Sequence, residues 1–422
     1  MRFFPNWLRA YMEWTKISES PDSFHFWTGV GTIAGALRSC VWQDENIFTY
    51  TPNFFLFFVA PPGITAKSTS IGLGMGLLEQ IPEIRFGPSS LTWQHLLRQM
   101  QAAVITVKWT DEAGKDHSRP ASALTIEASE LGTFLKLSQE GLAESLIDLW
   151  DGKISKRGFT HGTVGSGNIS VENPWLHVIG ATTPAWLGQN FPEEMIYGGL
   201  TSRILFIYGD QKRQLVAYPS QAVKPSDYKL QEEKLVHDLE QISLLRGPMK
   251  LTPEARAWGQ KWYETLWTTR PRHLASSRFD GYRARKQALL HKIAMVVSAA
   301  TREDRVIDDK ILAESDQHLT SAEGAMLRVF ESIGLVTEAK WVREITSVVK
   351  NYNGVFPKGM MTNQLYKLVS NIISVKDFQQ ALISAIESGT LEKVIVGTSP
   401  DGRPIYGIKA PEQPKAAPTG KV

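Results

Sequence analysis

A lysine and two hydroxyl residues, Lys67-Ser68-Thr69, follow a short and purely apolar run of the chain. A strand, a tight loop and a helix in this order are typical of a phosphate-binding loop, where helix-start N–H groups hold the β-phosphate. In such a loop the Lys67 ammonium binds the β- and γ-phosphate oxygens, and the hydroxyl of Ser68, or of Thr69, ligates Mg²⁺. The chemistry predicted for this stretch is the binding of ATP with Mg²⁺.

The loop before the lysine departs from the usual spacing G-x-x-x-x-G-K-[ST]. That spacing calls for glycines where this chain has Pro61 and Ala66. Gly63 and Lys67 stay in register with the hydroxyls, and we predict Pro62, Gly63 and Ala66 as the loop contacts of the nucleotide. The alternative for this stretch is a proline-bent turn between a strand and a helix.

A second segment, residues 122–131, adds carboxylates. Its apolar residues predict a buried strand, and Glu130 follows the end of that strand, where a P-loop fold holds the residue that activates water. We therefore predict Glu130 as the water-activating residue. Ser129 stands where an aspartate would hold the water shell of the metal, and Glu127 is the alternative metal partner or a solvent-facing strand residue.

Two threonines follow a third apolar run, residues 175–181. Parallel sheets place ligand-binding groups at the carboxyl ends of their strands. Thr182 or Thr183 is therefore predicted to sense the γ-phosphate or to position water.

Two arginines complete the predicted site. Arg203 stands between a Gly198-Gly199 bend and the apolar strand at residues 204–208, and we predict that it completes the site of a neighbouring protomer. Arg285 precedes a strongly apolar helix and is predicted to touch the γ-phosphate from a helical lid. A solvated cationic helix end is the alternative for Arg285.

Composition sets the protein class. The chain has 422 residues, enough for two or three domains, and a formal charge of +3, so that any DNA contact must come from local clusters. The single cysteine, Cys40, excludes an intrachain disulfide and a Cys-based zinc site and fits a reducing compartment. With no signal-peptide pattern and no apolar run of membrane-spanning length, we expect a cytoplasmic protein without a membrane partner, in a bacterial host if phage-encoded.

Helix and strand patterns predict an α/β fold: a P-loop NTPase (AAA+-like) with a parallel sheet core. Aromatic stripes before residue 40 predict two helices, and Ser89 or Ser90 is predicted to cap the helix that begins near Trp93. The predicted regions are an N-terminal helical collar (1–45), the P-loop core (46–224), a helical lid (225–334), a winged helix (335–408) and a disordered tail (409–422).

The predicted winged helix consists of three helices and a two-stranded wing. Its third helix carries Lys376 as its only cation, beside Asp377 and Glu387. A protein-binding winged helix is therefore the alternative to a DNA reader. A basic, Gly-rich stretch at residues 153–167 is interpreted either as a DNA-tracking loop or as a solvated loop.

Phosphate loop, strand-end glutamate, strand-end threonine and pre-strand arginine occur in the order used by hexameric AAA+-type ATPases. Over residues 5–330 the chain resembles a family of phage- and mobile-element-encoded P-loop proteins found fused or adjacent to replication primases and helicases. The motifs that carry the resemblance are the aromatic N-terminal helices, Pro61-Pro62-Gly63 with Lys67-Ser68-Thr69, Ser129-Glu130-Leu131, Ala181-Thr182-Thr183-Pro184, and Gly198-Gly199 with Arg203. Members of that family tolerate a loose phosphate loop, and the resemblance implies a replication-type ATPase.

The function expected from these patterns is an ATP-hydrolysing oligomeric motor, a helicase or a helicase loader in phage or mobile-element replication. Its expected partners are single-stranded or fork-like DNA, further copies of the chain in a hexameric ring, and a replication primase or initiator. The alternative, favoured by the degenerate phosphate loop and by Ser129, is a non-catalytic or weakly catalytic nucleotide-dependent initiator or scaffold that binds DNA.

Overall fold

The computed structural model describes residues 1–90, 92–135, 141–152, 159–163, 167–191, 199–275, 279–330, 337–352 and 354–411. The chain divides into two compact units, residues 1–333 and 334–422. In the described ranges no helix combines the length and the apolar character needed to cross a bilayer.

The first unit contains most of the helices and strands. Its described helices are α1 (Trp7–Trp14), α2 (Asp22–Leu37), α3 (Lys67–Glu79), α4 (Trp93–Ala102), α5 (Leu131–Phe134), α6 (Leu142–Asp151), α7 (Pro184–Asn190), α8 (Pro219–Ala222), α9 (Pro225–Ser243), α10 (Pro253–Thr268), α11 (Asp280–Thr301) and α12 (Asp309–Phe330). Its described strands are β1 (Val41–Asp44), β2 (Thr49–Tyr50), β3 (Phe55–Val59), β4 (Phe86–Gly87), β5 (Val104–Thr110), β6 (Asp116–Ala128), β7 (Phe159–Thr163), β8 (Gly167–Val171), β9 (Pro174–Thr182), β10 (Ile204–Tyr208), β11 (Gly247–Pro248), β12 (Lys250–Leu251) and β13 (Val306–Ile307).

A parallel sheet forms the centre of this unit, with the strand order β10-β3-β9-β6-β4. All five residues of β3 are buried, as expected for a parallel strand that helices cover on both faces. β5 extends the sheet as an antiparallel partner of β6. The predicted α/β class with a parallel sheet and the predicted buried strands are therefore confirmed.

One hydrophobic core includes the sheet, the helices that precede it in the sequence and the helices that follow it. The N-terminal helices α1 and α2 are predominantly buried, and α2 packs against α3 and against β9. Helices α11 and α12 pack against each other and contribute to the same core. The regions predicted as a collar and a lid thus share the core of the sheet.

The start of α4 differs from the prediction. Thr92, rather than Ser89 or Ser90, caps the helix, and its hydroxyl accepts a hydrogen bond from the His95 N–H at 3.4 Å. The predicted serines stand too early, because a capping hydroxyl must directly precede the first helical residue, here Trp93.

The second unit comprises α13 (Thr337–Tyr352), α14 (Thr362–Val369), α15 (Val375–Glu387), β14 (Glu392–Thr398) and β15 (Pro404–Lys409). β14 and β15 form an antiparallel hairpin, and Met360 makes an isolated antiparallel bridge to Ile408. The unit has a hydrophobic core of its own, to which all three helices contribute. The predicted three helices and hairpin are confirmed. The predicted disordered tail (409–422) begins too early, because Lys409 is the last residue of β15 and Ala410 is buried in the core of this unit. Residues 412–422 lie outside the described residues.

Candidate functional site

A cavity of about 600 Å³ opens at the carboxyl ends of β3, β6 and β9. Ligands of open α/β sheets bind at this edge, where loops from adjacent strands separate. Its lining brings together segments that are far apart in sequence: Pro62, Gly63, Ile64, Ala66, Lys67, Ser68 and Thr69 after β3; Ser129, Glu130, Leu131 and Gly132 after β6; Ala181, Thr182, Thr183 and Trp186 around the end of β9; and Glu19 with Lys212.

The backbone of the loop after β3 turns through two left-handed residues, Gly63 (φ 71°) and Ala66 (φ 47°). Ala66 stands where the usual phosphate-loop spacing has a glycine, and for a residue with a Cβ this conformation costs about 1–2 kcal/mol. The loop therefore keeps a glycine-like backbone at a position that lacks the glycine.

Helix α3 begins at Lys67, and no side chain caps its N-terminus. The first N–H groups of a helix have no intrahelical acceptor, and the helix dipole favours an anion beside them. Because Lys67, Ser68 and Thr69 all line the cavity, this helix start offers N–H donors to a bound phosphate.

The Lys67 ammonium lies over its own loop. Its Nζ donates hydrogen bonds to the carbonyl oxygens of Ala60, at 2.8 Å, and Pro61, at 3.3 Å. Burial lowers the pKa of Lys67, while the Glu130 carboxylate acts in the opposite direction. The lysine is held at the cavity by weak neutral acceptors, which an anionic ligand can replace.

The carboxylate side of the cavity is formed by Glu130, which is exposed and lies in the lining beside the exposed Ser129. Glu127 lies on β6, three residues before Glu130. It is half-buried and is not among the described lining residues. Burial, and secondarily the charge of Glu79, raises the pKa of Glu127. Of the two predicted carboxylates, the fold brings only Glu130 to Lys67.

The two predicted threonines have different surroundings. The Thr183 hydroxyl accepts a hydrogen bond from the Trp186 N–H at 3.2 Å and caps α7. Thr182 is the last residue of β9, lines the cavity and is 6% exposed. The Thr183 hydroxyl is thus engaged in capping a helix, so that Thr182 is the better candidate for the predicted contact with the γ-phosphate.

Arg203 lies at the opposite edge of the sheet from the cavity. It directly precedes β10, whose first residue, Ile204, pairs with Phe55 at the start of β3. The Arg203 guanidinium is buried and bonds both carboxylate oxygens of Asp151, at 3.0 and 2.8 Å. In sequence the arginine has no obvious packing role, whereas in the fold it forms a buried ion pair, so its predicted role in a neighbour's site remains a prediction.

The second predicted arginine, Arg285, is half-buried on α11. This helix packs against the 3-10 turn Thr201–Arg203, which lies at the same edge as Arg203. Arg285 is not among the described residues that line the cavity, so its predicted γ-phosphate contact remains a prediction without support from its position.

Glu19, Trp186 and Lys212 are among the lining residues that the sequence did not predict. Glu19 lies between α1 and α2, Trp186 lies in α7, and Lys212 lies in the loop after β10. The rule that predicted ligand-binding groups after β9 could also have identified Lys212, because this lysine likewise follows a buried parallel strand, β10. Glu19 carries no local signal, because only tertiary packing brings residues 15–22 to this edge.

A second cavity, of about 340 Å³, adjoins the first and shares Glu19, Ala66 and Thr69 with it. Its remaining lining is predominantly apolar and consists of Ile17, Ser18, Leu73, Val216, Pro219 and Tyr228. A cavity that contains the cations Lys67 and Lys212, beside a largely apolar one, suits a ligand with an anionic part and a flat apolar part.

A metal ion would need help from a ligand at this site. Among the residues that the structure describes, no group of three His, Cys, Asp or Glu side chains is arranged to hold one. Mg²⁺ is commonly bound by one or two protein oxygens together with substrate phosphates, and the predicted Mg²⁺ ligand Ser68 lines the cavity beside Lys67.

Comparison of the chain with protein-family models and with curated proteins finds no match. The resemblance drawn from the motifs above therefore remains a prediction.

Proposed function

We propose that the protein is a P-loop ATPase of the AAA+-like type, which binds ATP with Mg²⁺ in the cavity at the carboxyl edge of its sheet and hydrolyses it. One observation carries the proposal: the loop at 62–69, the Ser129-Glu130 pair and the Thr182-Thr183 pair line a single cavity. The sequence predicts each of these segments for a different step of phosphate chemistry, and their position around one cavity supports the proposal.

The order of the strands supports hydrolysis as well as binding. β9 lies between β3, which precedes the phosphate loop, and β6, which precedes Glu130. Two inter-strand spacings of a sheet amount to about 10 Å. This separation leaves room for a terminal phosphate and an attacking water between the loop and the carboxylate.

The chemistry follows from the side chains present. The α3 N–H groups and the Lys67 ammonium would neutralise phosphate charge, and Ser68 would supply a hydroxyl ligand to Mg²⁺, which would add positive charge beside the phosphates. Glu130 would accept a proton from the attacking water, and Thr182 would orient that water or the terminal phosphate. The adjoining apolar cavity would take the nucleobase.

We further propose that this ATPase acts on DNA as an oligomer, as a motor, helicase or helicase loader of phage or mobile-element replication with a primase or initiator as partner. The second unit supports a DNA role, since three helices and a hairpin match a winged helix. Its hairpin carries the exposed cations Lys393 and Arg403, whereas α15 carries only Lys376. Contact of the wing with the DNA backbone therefore fits better than base reading by α15.

A weakly catalytic, nucleotide-dependent initiator or scaffold is the second candidate. The observation that favours it is Ser129, which lines the cavity where a catalytic metal site would be expected to have an aspartate. A nucleotide would then control assembly on DNA with little turnover.

Measurement of ATP binding and hydrolysis with and without single-stranded DNA tests the proposal. We expect turnover in the wild type and loss of binding in Lys67→Ala, because no other described residue places a cation on the loop. Lys108→Ala, which removes an exposed lysine from β5 outside the cavity lining, is the control. Equal ATP affinity in Lys67→Ala and Lys108→Ala would refute the phosphate site, and binding without turnover would favour the initiator or scaffold.

A further inference from the structure

The loop after β10, residues 209–216, brings a second cation to the cavity. Lys212 lines the cavity, and its Nζ forms an ion pair with the Glu19 carboxylate. The other oxygen of Glu19 accepts the Val216 N–H at 2.9 Å. Within the described lining, Lys67 and Lys212 are the two cations, and Glu19 and Glu130 are the two carboxylates.

The backbone of this loop is anchored independently of Lys212. The neighbouring Arg213 bonds Asp22 at 2.7 Å and the Ser18 carbonyl at 2.9 Å, and its own N–H donates to the Glu19 carbonyl at 3.1 Å. The Lys212 side chain can therefore change partner while its Cα stays in place. A lysine suits such an exchange, because its ammonium is a compact donor on a flexible stem.

The ion pair itself is one that a ligand can break. The side chains of Lys212 and Glu19 are 34% and 25% exposed, and ion pairs that water reaches are weak. Glu19 borders both cavities, whereas Lys212 borders only the one that contains Lys67. A nucleotide lying across both cavities would pass the Glu19 carboxylate, which repels its phosphates, and would present those phosphates to Lys212.

We propose that Lys212 is a second polyphosphate-binding cation of this site, and that it reaches the phosphates by leaving Glu19, so that the ion pair inhibits binding in the empty site. The proposal rests on the nucleotide site proposed above. Glu19 and Lys212 then have opposite effects on ligand affinity, although they form an ion pair. The lysine binds the ligand, and the glutamate competes with the ligand for the lysine.

Calorimetric titration of the full chain with ATP, and separately with inorganic tripolyphosphate, tests this opposition. Lys212→Gln should weaken both ligands about 10-fold or more, the scale of one charge-assisted hydrogen bond. Glu19→Gln should strengthen both by about 3-fold, and this gain should be smaller in the Lys212→Gln background, where only the repulsion between Glu19 and the phosphates is relieved; the difference is the interaction term of a double-mutant cycle. Lys212→Arg keeps the charge and should bind within about 3-fold of the wild type.

Lys229→Gln, at an exposed lysine of α9 outside both cavities, is the matched control, and the thermal unfolding midpoint of each variant is recorded beside its affinity. A merely structural ion pair would make Lys212→Gln and Glu19→Gln change affinity in the same direction, and that result would overturn the proposal. Unchanged affinity in Lys212→Gln would overturn it as well. If the wild type does not bind ATP, or if Lys67→Ala binds it normally, the nucleotide site itself fails, which is a different outcome.

Discussion

Two charged residues at opposite edges of the central sheet, Lys67 and Arg203, have opposite surroundings. At the carboxyl edge, Lys67 and Glu130 face a cavity, and among the described residues the lysine donates hydrogen bonds only to neutral carbonyl oxygens. At the amino edge, Arg203 is 4% exposed and bonds Asp151 through two hydrogen bonds. A charged group that lies next to a cavity and has no charged partner is available to a ligand. A charged group in a buried pair is needed by its partner, so that removal of either member destabilises the fold.

Lys292 belongs to the amino edge. It is buried on α11, donates a hydrogen bond to the Thr51 carbonyl at 3.0 Å and lies 4.2 Å from the centre of the Trp150 ring. Burial lowers its pKa to about 7, an effect that Asp151 opposes and Arg203 adds to. This edge thus ties α11 to the sheet through Trp150, Asp151 and Arg203, and the contrast with the cavity predicts different consequences of substitution at the two edges.

The largest effect is expected from Arg203→Ala. Removal of the guanidinium leaves the Asp151 carboxylate without its main partner, and breaking a buried pair costs about 3–5 kcal/mol. We expect about 3 kcal/mol, because Asp151 is partly exposed and Lys292 lies near it. Denaturant unfolding followed by tryptophan fluorescence measures this loss in the first unit, which contains every tryptophan but Trp341. Arg98→Ala, at an exposed arginine of α4, is the control.

The same variant decides whether Arg203 acts in a neighbouring protomer. A stable Arg203→Ala protein that binds ATP but does not hydrolyse it would support that role. Mixing it with Lys67→Ala protomers, after subunit exchange has been demonstrated with differently tagged chains, should then restore some turnover. Loss of stability without such complementation would assign Arg203 to the fold alone.

The next effect concerns the carboxyl edge. Glu130→Gln should retain ATP binding and slow hydrolysis by about 10²-fold or more, the usual contribution of a general base, with the unfolding free energy nearly unchanged because Glu130 is exposed. Glu127→Gln is the matched control, since Glu127 belongs to the same segment but not to the described lining. Steady-state ATPase assays compare the two. An inactive Glu127→Gln beside an active Glu130→Gln would transfer the catalytic role to Glu127.

A smaller effect is expected from pH at the amino edge. Folding lowers the pKa of Lys292 from 10.5 to about 7. At a pH between these two values, Lys292 is therefore protonated in the unfolded chain and largely neutral in the folded chain. Stability should therefore rise with pH in this window, by up to about 1.4 kcal/mol per pH unit. Denaturant unfolding of the wild type and Lys292→Met at about pH 7, 8 and 9 isolates this slope. Parallel curves for the two proteins would mean that Lys292 keeps its ordinary pKa.

The smallest effect is expected at Ala66. Ala66→Gly removes the cost of a left-handed alanine but adds the greater flexibility of glycine in the unfolded chain, so that we expect a gain of less than about 1 kcal/mol. Ala10→Gly, in the regular helix α1, should instead lose about 0.5–1 kcal/mol. Thermal unfolding of the two variants compares them, and equal losses would contradict the left-handed conformation of Ala66.

Local patterns in the sequence were sufficient for the buried strands of the sheet and for the core of the candidate site, but not for the short strands β1 and β11 to β13, which lie in regions predicted as helical. The apolar run Phe55–Val59, followed by a proline-glycine bend and Lys67, predicted a buried strand, a loop and a helix that the structure contains. Such patterns work because burial of a strand on both faces and the start of a helix depend on residues close in sequence. The same rule placed Glu130 and Thr182 at the edge where they lie together.

Contacts between distant segments were decided only by the tertiary structure. Lys212 and Glu19 meet across almost the whole first half of the chain, and the spacing of neither residue predicts the other. Arg203 and Arg285 were predicted from the sequence to act at the site but do not line the cavity. The direction of the parallel strands places Arg203 at the amino edge, and the packing of α11 against the turn at Arg203 places Arg285 near that edge. An arginine in sequence signals a charge that needs a partner, and only the fold determines whether that partner is a ligand or, as for Arg203, the buried carboxylate of Asp151.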